Sequence, residues 1–73
     1  MITTIKRGNR EFAVSTVDTF DRGWETMVFE MFNGVINYRD LAAERYSNAG
    51  EAAAGHAAMV ESFQPGPQHT DDY

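Results

Sequence analysis

A chain of 73 residues with no cysteine, two histidines (His56 and His69) and a formal net charge of −5 has no room for a second domain. It also has neither a disulfide framework nor a Cys/His metal set, so stability must come from apolar packing in a thin core, and no cofactor is expected. Only Lys6, Arg7 and Arg10 cluster positive charge, too few for a phosphate-binding face, so nucleic acid is not an expected partner.

Residues 1–7 lack the apolar core of a secretory signal, and no stretch reaches the length of a membrane span, so a cytoplasmic protein without a membrane partner is the expectation. Ile2–Arg7 and Arg10–Asp18 are rich in β-branched and aromatic residues, with Gly8-Asn9 between them as a two-residue turn. In that register Ile5 faces Phe12, Thr3 faces Val14, and Lys6 faces Glu11 on the other side with opposite charge. Residues 18–23, Asp-Thr-Phe-Asp-Arg-Gly, form a turn-rich connection.

Trp24–Phe32 alternates as the strongest strand, and Asn33-Gly34 closes it as a type I′ hairpin. That turn sets Phe32 against Val35, Met31 against Ile36, Phe29 against Tyr38 and Val28 against Arg39. Residues 39–46 read as a connection, a helical turn and an extended link being equally open.

Asn48 followed by Glu51 makes a capping box, and Ala49–Phe63 reads as an amphipathic helix. Its apolar arc holds Ala49, Ala52, Ala53, His56, Met59, Val60 and Phe63. Gly55 inside that helix costs about 1 kcal/mol and points to close backbone packing. Residues 64–73, with Pro65, Pro67 and two terminal acids, read as a disordered acidic tail. The fold class is α+β: a single domain over residues 1–63, with a small antiparallel sheet of three to four strands and one C-terminal helix packed on one face.

Period-two alternation in Trp24–Phe32 splits the sheet into two faces. Met27, Phe29, Met31, Ile36 and Tyr38 match the helix arc and are expected to meet it. Trp24, Thr26, Val28 and Phe32, with Val35, are then left on an open face. Trp24, Val28, Phe32 and Val35 are the expected interface, because exposed aromatic and aliphatic anchors dominate protein contacts.

The run Trp24-Glu25-Thr26-Met27-Val28-Phe29, the segment Glu44-Arg45-Tyr46-Ser47 and the helix Glu51-Ala52-Ala53-Ala54-Gly55-His56-Ala57-Ala58-Met59-Val60 resemble small uncharacterised proteins encoded by actinobacterial phages and prophages. The likeness spans residues 12 to 63. It implies a viral origin, a place in the host cytoplasm and action by binding a host or phage component, and it carries over no catalytic residue.

No enzymatic activity is expected. Ser15, Ser47 and Ser62 lack a nucleophile elbow, the glycines are scattered singly, and the carboxylates Asp18, Asp21, Asp40 and Glu44 suit turns and solvent. His56 is expected as a packed histidine bonded to a carbonyl or to Asp40 or Glu44. The expected function is protein–protein contact, as a homo-oligomer or as a binder or inhibitor of a host or phage protein. An acidic DNA mimic or anti-defence protein and an antitoxin-like partner of a small toxin are the alternatives. Acids lining one face would favour the mimic, and acids interleaved with arginines would disfavour it.

Overall fold

The first hairpin forms where alternation and turn chemistry agree. Strands β1 (Ile2–Arg7) and β2 (Arg10–Asp18) pair antiparallel, with Ile5 opposite Phe12, Thr3 opposite Val14 and Lys6 opposite Glu11. Gly8 adopts φ +64° in the turn between them, a value glycine reaches without steric cost. Strand β3 (Trp24–Phe32) returns along β2, and Asn33 and Gly34, both at positive φ (+52° and +80°), turn the chain into β4 (Val35–Tyr46). Positive φ at both central residues marks the expected type I′ turn. The computed structural model describes residues 1–64; of the expected tail, everything after Gln64 lies outside the described residues.

The result is a four-stranded antiparallel meander in the order β1-β2-β3-β4, with helix α1 (Ala49–Phe63) across one face. Residues 39–46 are part of β4 and not a separate connection. β4 spends twelve residues against the nine of β3, and register shifts on either side of Phe29 absorb the difference. Phe32 and Met31 keep their expected partners Val35 and Ile36, but Phe29 faces Asp40 and Val28 faces Ala42. Bulges of this kind bend an edge strand and deter edge-to-edge pairing.

Helix α1 begins as its sequence dictates. The Asn48 side chain accepts from the Glu51 amide at 2.8 Å, and the Glu51 carboxylate accepts from the Ser47 amide at 3.3 Å, which satisfies two donors at the helix start. Gly55 sits against the Tyr46 ring, where a Cβ would overlap Cζ and Oη. The close approach inferred from this glycine is therefore an aromatic ring laid on bare helix backbone.

The core lies between helix and sheet. Ile5, Phe12, Val14 and Val28 are buried together, with Ala42, Met59, Val60 and Phe63 packed around them, and the Phe12 and Phe63 rings meet edge to face at 5.2 Å. This reverses the expected facing of the sheet. Val28 pairs with Val14 and Thr26 with Thr16, so the Val28 face receives the helix and the Met27-Phe29-Met31 face stays open. The physical reason is fit. A helix approaches closely over short β-branched and small side chains such as Val14, Val28 and Ala42, whereas long side chains can cover one another without it.

Candidate interaction surface and buried histidine

Of the four residues expected at an interface, Val28 is 0 % exposed under the helix and is a core residue. Trp24 shares that face, half-buried, opposite Tyr46. Phe32 and Val35 are 55 % and 67 % exposed, at the hairpin tip beyond the helix. Strand order brings Phe32 and Val35 together as direct partners and separates them from Trp24 by the length of β3.

The open face is carried instead by the other alternation set. Val17 on β2, Met27, Phe29 and Met31 on β3, and Ile36 and Tyr38 on β4 lie there. Phe29 is buried without any helix above it, because the Tyr38 ring meets it edge to face at 5.5 Å while Tyr38 itself stays 77 % exposed. The charges on this face come in opposite-sign neighbours: Lys6 faces Glu11, and Arg45 reaches Glu25 at 3.1 Å.

Two features flank this face at opposite ends of the strands. The loop joining β2 to β3 is braced by its own side chains: Asp18 Oδ1 accepts from the Phe20 amide (2.8 Å), and Thr19 Oγ1 donates to the Gly23 carbonyl (2.6 Å) and accepts from the Arg22 amide (3.2 Å). Within it Phe20 is held at φ +69° and is 93 % exposed. A bulky residue in the left-handed region stores strain, and strain of this kind concentrates at functional sites. At the other end, between the start of β2 and the end of β3, lies a cleft of about 480 Å³ lined by Lys6, Gly8, Arg10, Glu11, Met31 and Phe32, among others. Arg10 is fixed there by Glu30 (2.8 and 3.2 Å) and by the Phe12 ring, 4.9 Å below its guanidinium. Sequence reading found neither Phe20 nor the cleft as a site; the Asp18-Thr19 pair followed by Gly23 was the available signal for a braced loop.

His56 is 5 % exposed, and its hydrogen bonds go to neither Asp40 nor Glu44. Its Nδ1 lies 2.7 Å from Thr16 Oγ1 and its Nε2 lies 2.9 Å from Thr3 Oγ1, and the Thr16 hydroxyl also bonds that of Thr26. A neutral ring with one donor and one acceptor satisfies this chain of hydroxyls in either tautomer. Burial, aided by the Met1 ammonium nearby, pushes the His56 pKa below its usual value. The arrangement pins the helix to β1 and β2 through satisfied buried polar groups, and it keeps the histidine packed, as expected, with hydroxyls in place of a carboxylate. Among the described residues no group of three His, Cys, Asp or Glu side chains is placed to hold a metal ion, and no helix is long and apolar enough to cross a membrane.

Comparison with known protein families, with curated proteins and with solved structures finds no match.

Proposed function

We propose that this protein works by contact with another protein, through the sheet face that α1 leaves open, and not by catalysis. The observation that carries the reading is Tyr38, 77 % exposed against Phe29 on a face that also carries Val17, Met27 and Met31 and that no other element among the described residues covers. Aromatic and methionine side chains are enriched at interface cores, and a neutral pairing of the surrounding charges favours close approach. A phage accessory role acting in the host cytoplasm, on the protein itself or on a host or phage protein, is part of this proposal and rests only on the resemblance read from the sequence of residues 12 to 63. The DNA-mimic reading is weaker, because Glu30 and Glu25 are engaged by Arg10 and Arg45, so acids and arginines interleave there.

The test uses Val17→Lys and Tyr38→Glu, two changes on exposed side chains outside the core. Circular dichroism should report an intact fold for both. Binding of an apolar-surface dye such as anilinonaphthalene sulfonate should fall relative to wild type, together with self-association or capture of a specific partner. A wild type that binds no dye, does not self-associate and captures nothing that the variants lose would contradict the proposal.

A further inference from the structure

We infer that the outer edge of β1 is a docking site for an extended, acid-bearing segment of another protein, which adds to the sheet as a further strand and lays alternate side chains in a groove between β1 and α1. The site goes beyond the open face and does not depend on it.

Pairing within the first hairpin identifies the free backbone groups. The Met1 carbonyl accepts from the Thr16 amide at 2.8 Å, so Met1 and Thr16 are a hydrogen-bonded pair, and antiparallel strands alternate such pairs with non-bonded ones. Thr3, Ile5 and Arg7 therefore direct their amides and carbonyls at Val14, Phe12 and Arg10. Those of Ile2, Thr4 and Lys6 point away from β2. β1 ends the strand order, and among the described residues no other strand meets these groups. A row of this kind is a template for one more strand, and proteins commonly blunt it. The opposite edge is blunted, because β4 breaks register with β3 on either side of Phe29. β1 has no proline and pairs without a bulge from Ile2 to Arg7.

Beside this edge the helix leaves room. A groove of about 720 Å³ lies between Thr3 and the flank of α1, lined on the helix side by Ala54, Ala57, Ala58, Val60 and Glu61, among others. Three alanines where longer side chains could stand keep it open. Side chains of a strand alternate between faces, so an added strand turns every second one toward these small apolar neighbours. Strand addition works by this division: backbone bonds give affinity, and pockets for alternate side chains give selectivity.

Charge narrows the occupant. β1 holds Lys6 and Arg7 and no acid. Lys6 lies opposite Glu11, but Arg7 lies opposite Arg10, whose guanidinium is held by Glu30. Arg7 shares the helix side of β1 with buried Ile5, so a carboxylate on the groove side of the added strand meets a cation that its own cross-strand neighbour does not neutralise. A second copy of β1 brings two more cations and no acid, and edge lysines deter pairing between like strands.

The probe is a synthetic Glu-Thr-Val-Thr-Val-Thr peptide. Laid antiparallel to β1, it sets its glutamate beside Arg7 and its valines toward the groove, opposite Ile5 and Thr3. In the wild-type chain alone, hydrogen exchange should be fast at the Thr4 and Lys6 amides and slow at Thr3, Ile5 and Arg7. Millimolar peptide should slow exchange at Thr4 and Lys6, and a peptide with lysine in place of glutamate should bind about threefold or more weakly. Thr4→Pro removes an outward amide without breaking a β1–β2 bond, so it should keep the wild-type melting curve and weaken peptide binding about tenfold or more. If Thr4→Pro unfolds, Ala57→Gln carries the test: on the exposed flank of the helix it fills the groove, and it should weaken binding in a folded chain. Tyr38→Glu should bind the peptide as wild type does; loss of binding there would move the peptide to the open face and overturn the edge site. No slowing at millimolar peptide, or binding that neither edge variant weakens, also overturns it. Slow exchange at Thr4 and Lys6 without peptide overturns it as well, because the edge is then already filled, by residues 65–73 if deleting them restores fast exchange, or by a second copy if protection grows with protein concentration.

Discussion

Replacing Phe20 by glycine separates the stability of this fold from its association. Holding a non-glycine residue in the left-handed region costs about 1–2 kcal/mol, and Phe20 sits there at φ +69°. At 93 % exposure its side chain has almost no burial to lose. Glycine removes the strain but adds unfolded-chain entropy worth about 0.5–1 kcal/mol. The net change is therefore from nothing to roughly 1 kcal/mol of stabilisation, and for a domain this small that is a rise in Tm of up to about 8 °C. Phe20→Ala retains the Cβ and should show no such gain. The assay is thermal unfolding by circular dichroism at low micromolar concentration, where a dimer would be dissociated and mass action cannot mask the monomer. A fall in Tm of more than about 4 °C for Phe20→Gly would mean that the ring packs on its own chain, and the reasoning about a presented aromatic would fail.

Gly55→Ala should destabilise by up to roughly 2 kcal/mol, because overlap with the Tyr46 ring outweighs the helix propensity of alanine; in a Tyr46→Ala background the same change should instead stabilise by about 1 kcal/mol, and denaturant melts of the four proteins read the coupling. The His56 pKa is lowered in the folded state, so the stability it contributes is complete above its ordinary unfolded value near 6.5 and is lost as pH falls through the folded value. Tm should accordingly drop between pH 7 and 5 in wild type, and His56→Gln should flatten that slope; equal slopes would show that another group is responsible. Asn48→Ala should cost about 1 kcal/mol through loss of the helix cap, and an unchanged denaturation midpoint would place the cap elsewhere.

Much of the architecture was legible because local signals coincided. Gly8-Asn9 and Asn33-Gly34 sit between alternating runs, which locates both hairpins and fixes the first registers, and Asn48 with Glu51 locates the helix start. β4 was legible only to Tyr38. Beyond it Arg39-Asp40 and Ala42-Ala43 have weak strand propensity, and the pairing that holds them comes from β3 across a bulged register. Alternation also says which residues share a face but not which face the helix takes. The 18–23 loop is longer than a hairpin turn, so nothing local tied the Val14 set to the Val28 set. The Thr3, Thr16 and Thr26 hydroxyls that receive His56 lie on three strands, and only the assembled sheet brings them together. For the candidate surface, the sequence carried the idea of an uncovered apolar face, while the assignment of side chains to it inverted along with the helix.

Sedimentation equilibrium of the wild-type chain, from low micromolar to millimolar concentration and beside Tyr38→Glu, bears most directly on contact through the open face. The apparent mass should climb from 8.2 kDa toward twice that value with rising concentration, and Tyr38→Glu should hold at the monomer mass while keeping a native melting curve. A wild type and variant that sediment identically across the whole range would contradict association through this face.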